Sequence, residues 1–245
     1  MEPALSLERI YPKQMDKNDP NDKDSLDIHF SRYQFASKQL QGQNILDMAC
    51  GCGFGTALMA EAHPDKQFTG IDIDPMAIEY ARANYKLDNL RYECSDAINW
   101  NGDRYDSIVS LETIEHLPSP DKLAENLSNL LHEQGRIIAS VPVTPTCDGN
   151  PHHLHDFTVR SFKQLFYQFG FISGEEFKQV QKWEFNGLFS KSEIKEHRSE
   201  GVGNNVLAYY KKHPFALMSR LVSMFRHGFC NIYLTTVFEK DTKAS

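Results

Sequence analysis

The stretch from Asn44 to Asp74 constrains this chain more than any other. It reads N-I-L-D-M-A-C-G-C-G-F-G-T, continues through a segment of helical character, and closes on F-T-G-I-D-I-D. An apolar strand breaks at a glycine-rich turn, a helix follows, and a second strand ends in an acid. Gly51, Gly53 and Gly55 let backbone N–H groups approach a ligand that side chains would hold away. The helix start behind them presents unpaired donors. Asp72, at the tip of the second strand, is placed to accept hydrogen bonds from both hydroxyls of a ribose. Together these features predict a βαβ unit that binds a nucleoside.

Two residues separate this unit from the dinucleotide fingerprint G-x-G-x-x-G. The third glycine position holds Thr56, which is larger than close helix–strand packing in that fingerprint wants. Asp47, four residues before Gly51, puts a carboxylate beneath the turn, which opposes a pyrophosphate and suits a ligand with a cationic end. The run D-x-x-x-G-x-G-x-G followed by G-I-D-I-D-P resembles the class I S-adenosylmethionine-dependent methyltransferases. The resemblance implies an α/β, Rossmann-like fold: a seven-stranded, mostly parallel sheet with the last strand antiparallel and helices on both faces. It also implies S-adenosylmethionine as cofactor and S-adenosylhomocysteine as product. Asp47, Ala49, Gly51, Gly53, Asp72 and Ile73 would then bind the cofactor. Asp96, with the Ala97 N–H, would take its adenine, and Leu111 would contact it through the backbone.

At 245 residues, with a hydrophobic fraction of 40%, the chain has material for one α/β domain with an elaboration. A net charge of −7 provides no global basic field, which argues against nucleic acid as a partner. The first residues lack the apolar core of a secretory signal, and no apolar run reaches transmembrane length. Cys50, Cys52, Cys94, Cys147 and Cys230 are odd in number and scattered, as free thiols of a reducing cytosol would be. A cytoplasmic location is therefore expected.

Residues 1–27 read as a polar lead-in to a domain spanning 28–245. S-L-D-I-H-F-S-R-Y-Q-F-A-S-K-Q-L carries apolar residues at helical spacing. Within the resemblance it is a helix lying over the cofactor, with Arg32 and Tyr33 at the methionine end or the substrate; packing alone is the other reading. Asp74-Pro75 opens a helix, and Leu90–Cys94 and Tyr105–Leu111 read as strands. Ser119-Pro120 opens a helix expected to reach Glu133, before a strand over Arg136–Val141. Thr158 caps a helix, Phe171 begins a sixth strand, and Asn231–Glu239 is the last.

Two clusters carry candidate chemistry. The fourth strand ends in E-T-I-E-H, so Glu112, Glu115 and His116 fall at the carboxyl edge of the sheet, where ligands of open α/β sheets bind. His116 is a candidate general base for a hydroxyl proton. Glu-x-x-Glu-His also resembles the metal-binding run of ubiquinone-biosynthesis O-methyltransferases, and a loop cap is a third reading. A divalent metal is not the favoured one, and no residue is assigned to a metal. After the fifth strand, N-P-H-H-L-H-D-F-T resembles a segment of bacterial methyltransferases linked to sugars and glycans, with His153 in the family histidine's place. His152 and His155 depart from that pattern. His153, His116 and Glu112 are the candidate catalytic residues.

The implied activity is methyl transfer to a small-molecule acceptor, with a hydroxyl of a sugar, glycan precursor or similar metabolite favoured. N-methylation of a small amine, and a binding protein without turnover, stay open. Residues 184–229 stand where a substrate-selecting insertion belongs. Their apolar stripe, Phe215 to Phe225, offers a lid, a homodimer face or a peripheral membrane contact, beside plain core packing.

Overall fold

The short apolar runs become strands buried on both faces, as a parallel sheet covered by helices requires. The computed structural model describes residues 9–16, 19–143, 153–182 and 230–241, with single positions at 218, 222 and 225. Seven strands form one sheet: β1 (Asn44–Met48), β2 (Gln67–Asp72), β3 (Leu90–Cys94), β4 (Tyr105–Leu111), β5 (Leu131–Pro142), β6 (Phe171–Lys182) and β7 (Cys230–Lys240). Their order is β3-β2-β1-β4-β5-β7-β6. The first five pair in parallel, and β7 lies antiparallel between β5 and β6. This is the architecture the glycine-turn resemblance implies. The chain leaves β3 at one edge and re-enters as β4 beside β1, so a crevice opens at the carboxyl ends of β1 and β4.

Among the helices of the described residues that cover the sheet are α1 (Pro20–Gln39), α2 (Phe54–Ala62), α3 (Pro75–Asn84), α4 (Pro120–Leu130) and α5 (Val159–Tyr167). Alternate residues of each strand face opposite cores, following the period of two. Leu46, Ile108 and Ile137 pack with Leu123 and Leu127 of α4 and Phe162 and Phe166 of α5. Ile45, Val109 and Ile138 pack with Tyr33 and Ala36 of α1 and Met59 of α2. Gln179 of β6 fixes α1, its amide donating to the Ile28 carbonyl at 2.9 Å while its Oε1 accepts from Arg32 Nε at 3.0 Å.

Of the boundaries that differ from the sequence reading, three have a plain physical reason. The first helix begins at Pro20 rather than near Ser25, since proline's fixed φ suits a first helical position and Asp22 favours the positive end of the helix. Part of the supposed lead-in is packed: Tyr11 is buried and meets the Tyr80 ring edge-on at 4.9 Å. The fourth helix stops at Leu130, where the chain turns extended (Leu131 φ −88°, ψ 138°). Leu131 is fully buried and pairs with Tyr105, so a tertiary contact ends a helix that local pattern would continue to Glu133. Most of 184–229 lies outside the described residues, as do His152 and Cys147. Of the apolar stripe, Met218, Val222 and Phe225 are described, and all three are exposed.

Phe166 anchors the α5 side of the core, stacked on Phe238 at 4.1 Å and edge-on to Phe162 at 5.8 Å. Phe166→Ala is expected to cost about 3–5 kcal/mol, read as a lower urea midpoint, and a loss under about 1 kcal/mol would contradict this packing.

Candidate functional site

The turn after β1 is built by two close approaches. Gly53 has φ 82° and ends the turn at the start of α2. A Cβ on Gly55 would lie 2.1 Å from the Tyr33 ring, so α1 can press on α2 only because that carbon is missing. Thr56, at the position that separates this turn from the dinucleotide fingerprint, is buried and donates its hydroxyl to Asp47 Oδ2 at 2.6 Å. Among the described residues, two that are not glycine sit in the left-handed region, Ala49 (φ 63°) directly after β1 and Glu112 (φ 52°) directly after β4. Such conformations cost about 1–3 kcal/mol each and persist where the surroundings over-determine them. Both residues line the same cavity.

That cavity, about 310 Å³, opens over the carboxyl ends of β1, β2 and β4. At one end stand Asp72 from β2 and Ile73 just after it, with Asp96 and Ala97 from the turn after β3. Asp72 is buried; its Oδ2 accepts from the Gly51 N–H and its Oδ1 from the Asp74 N–H, both at 2.9 Å. Asp96 accepts from the Ile98 N–H at 3.0 Å, which shapes a turn presenting the Ala97 backbone. Ile73 is 64% exposed, an apolar surface set beside these acids. Gly51 and Ala49 form the floor and Leu111 part of the far wall.

The other end is made by α1 and the segment after β4. Arg32 is 1% exposed, with Nη1 at 3.3 Å from Glu112 Oε1 and its guanidinium over the Tyr233 ring at 4.7 Å. Its Nη2 has no hydrogen-bond partner among the described residues. Arg32 lines the cavity, and a buried cation whose hydrogen-bonding capacity is unfilled suits an anionic group of a ligand. Glu112 is held by Ser140, whose hydroxyl donates to Oε1 at 2.7 Å. His29, also on this wall, stays neutral: burial, then the charge of Arg32, push it down to about 3. Its Nδ1 lies 2.9 Å from the Ser25 carbonyl.

Beside Glu112, the single helical turn Ile114–His116 brings His116 to the cavity wall. The loop before α5 docks on this turn, the N–H groups of Leu154 and His155 donating to the Glu115 carbonyl at 2.8 and 3.2 Å. That docking sets His153 against His116, ring centroids 4.7 Å apart. His153 itself is not on the cavity wall. Glu115 is fully buried, with Oε1 3.9 Å from His116 Nε2. Glu115, His116 and His153 each bring one donor atom within 4.8 Å of the others. His155 is occupied elsewhere, its Nε2 2.9 Å from the Leu117 carbonyl.

The sequence reading thus converges on one cavity for Arg32, Tyr33, Ala49, Gly51, Asp72, Ile73, Asp96, Ala97, Leu111, Glu112 and His116. Asp47 and Gly53 lie beneath it rather than on its wall. The reading missed His29, and Arg9 and Ile10, which also line the cavity. The run Arg9-Ile10-Tyr11 offered one weak signal, two adjacent apolar residues beside an arginine.

Asp47 has a further consequence. Burial, and to a lesser degree the charge of Asp72, push it up to about 7, against hydrogen bonds that lower it. Its folded-state value lies above the ordinary 3.8, so the folded chain holds this proton at pH values where the unfolded chain has lost it. The resulting stability is complete below the unfolded value and lost as pH rises through the folded one. The melting temperature of Asp47→Asn, relative to wild type, is therefore expected to improve as pH rises from about 5 to about 8. A constant difference over that range would contradict it.

Comparison with known proteins agrees with this fold. The family described as a methyltransferase domain matches residues 39–191, more than half of the chain. A ubiquinone biosynthesis O-methyltransferase of Coxiella burnetii is 30% identical over 105 residues, covering 41% of this chain and 44% of that protein. A trans-aconitate 2-methyltransferase of Methylobacterium radiotolerans is 34% identical over 98 residues, covering 40% and 37%. The chain spans less than half the length of these curated relatives. Among solved structures, an O-methyltransferase of a Brevibacillus brevis trans-AT polyketide synthase, in complex with S-adenosylhomocysteine, superposes with a TM-score of 0.59 at 19% identity, over 91% of this chain and 76% of that one. The N-methyltransferase NodS of Bradyrhizobium japonicum, also in complex with S-adenosylhomocysteine, gives 0.58 at 14% identity, over 91% and 89%. At these identities the superpositions speak for the fold. By the family match, the chain belongs to the methyltransferase-domain family, among the class I S-adenosylmethionine-dependent methyltransferases.

Proposed function

We propose that this chain transfers a methyl group from S-adenosylmethionine to a hydroxyl of a small-molecule acceptor, a sugar, glycan precursor or similar metabolite. One observation carries the reading: a single cavity joins the Asp72 carboxylate at one end, the buried Arg32 with an unused Nη2 at the other, and His116 beside them. Asp72 and Asp96 suit a ribose and an exocyclic amine, and Arg32 suits a carboxylate, so the three charges match an adenosyl amino acid along its length. The bound cofactor supplies an electrophilic methyl, whose bond to sulfur breaks as its bond to the acceptor oxygen forms.

The protein's part is alignment and proton removal. Holding two reactants in line contributes on the order of 7–11 kcal/mol, and a general base about 10²–10⁴-fold in rate. His116, on the wall, takes the acceptor's proton in this reading; His153 packs on its ring and fixes its orientation. Glu112, held by Ser140 and Arg32, forms the wall beside the acceptor. Glu115, His116 and His153 also suit a divalent cation by donor type, which would lower the pKa of an acceptor hydroxyl. Loss of turnover to a chelator, restored by magnesium, would move His116 from base to ligand.

The test is release of S-adenosylhomocysteine from S-adenosylmethionine with hydroxylated and amine acceptors in parallel. Release that depends on a hydroxylated acceptor is the expected result. Amine-dependent release would reassign the acceptor, and binding with no release under any acceptor would contradict catalysis. Once an acceptor is found, His116→Ala is expected to lower kcat by about 10²-fold or more with cofactor affinity unchanged. His153→Ala is expected to lower turnover less. Asp72→Ala is expected to weaken cofactor binding strongly, and equal affinity in that variant would remove the ribose assignment.

A further inference from the structure

The segment Arg9–Asp16 lies across the cofactor end of the cavity and bonds to its central carboxylate. Arg9 Nη2 donates to Asp72 Oδ1 at 2.9 Å, and Nη1 lies 3.4 Å from Asp74 Oδ2. The Arg9 stem crosses directly above the glycine turn, its Cγ 3.8 Å from where a Cβ on Gly51 would stand. The next carbonyl, that of Ile10, accepts from Cys52 Sγ at 2.6 Å. Burial pushes Cys52 up to about 11, so its sulfur keeps the proton it donates. Further along, Tyr11 is buried on Tyr80, and Lys13 donates to Asn84 Oδ1 at 3.1 Å while its ammonium sits 5.4 Å from the Tyr85 ring centre. The segment is thus fastened to α3 and to the turn, with its arginine in the nucleoside's place.

Accounting for acceptor sites gives this placement its meaning. A carboxylate has about four lone-pair sites. On Asp72, Oδ2 has taken the Gly51 N–H, and Oδ1 has taken both the Asp74 N–H and Arg9. A ribose diol needs one free site on each oxygen, and Oδ1 has none until Arg9 leaves. Asp74 remains beside the guanidinium, so Arg9 has a carboxylate to hold when it is displaced. We propose that Arg9–Asp16 is an autoinhibitory strap in which Arg9 competes with the cofactor's ribose for Asp72. The inference rests on the cofactor reading above and adds its regulation: whatever draws the strap off α3 raises cofactor affinity without touching the acceptor end.

The test is calorimetric titration of the full chain with S-adenosylhomocysteine, in wild type, Arg9→Ala and Tyr11→Ala. Arg9→Ala removes the competitor itself; Tyr11→Ala loosens the strap on α3 without altering any group at Asp72. The expected result is a dissociation constant about tenfold lower in Arg9→Ala, with a change in the same direction in Tyr11→Ala. Binding by Arg9→Ala where wild type shows none would support the strap still more directly. Equal affinities in all three proteins would overturn the strap while leaving the cofactor reading intact. Weaker binding in Arg9→Ala would overturn it too, because the segment would then be a clasp over the bound nucleoside. No binding by any of the three would remove the cofactor reading, and the strap with it.

Discussion

The site depends on one buried carboxylate. Asp72 gathers the N–H of Gly51 from the turn after β1, the N–H of Asp74 from the turn after β2, and the Arg9 guanidinium. A buried charge is tolerated only when its surroundings supply such donors. The donors come from three parts of the chain, so the same carboxylate that suits a ribose also fixes the glycine turn against β2. In the proposed reading structure and recognition share the residue, and cofactor binding would be an exchange of partners at Asp72 rather than the filling of an idle group.

The rest of the cavity follows from sheet topology. Parallel strands end together at one edge, and the crossover from β3 to β4 leaves a crevice there. Strand ends supply Ala49, Asp72, Leu111 and Glu112, while α1 supplies Arg32 and Tyr33. Strain is confined to two of these, Ala49 and Glu112, each turning its backbone sharply out of a buried strand. Glu112 is braced by Ser140 of β5 and by Arg32, and Arg32 in turn by Gln179 of β6. The acceptor end is thus held by three strands and a helix, whereas the cofactor end is closed by a short segment fastened to α3 and to the glycine turn.

What could be read in the sequence was what is written in neighbouring residues. The glycine turn, the Asp after β2, the Asp74-Pro75 helix start and the alternating strands each declare themselves within about ten residues. Strand Leu90–Cys94 and the capping Thr158 fall where local pattern puts them. What the sequence hid was non-local. Arg9 reaches Asp72 across 63 positions and Arg32 reaches Gln179 across 147, and no spacing announces either contact. Helix α4 ends at Leu130 because Leu131 pairs with Tyr105, a fact of tertiary structure. The two candidate histidines were legible as a pair, but their ranking was not. His116 faces the cavity and His153 stands behind it because the loop before α5 docks on the Glu115 carbonyl.

Calorimetric titration of the unmodified chain with S-adenosylhomocysteine, with NAD as the control ligand, tests the central claim most directly. The account predicts saturable binding of S-adenosylhomocysteine with one site per chain, and no binding of NAD. Binding of NAD in preference would contradict it, because the cavity would then serve a dinucleotide rather than an adenosyl amino acid.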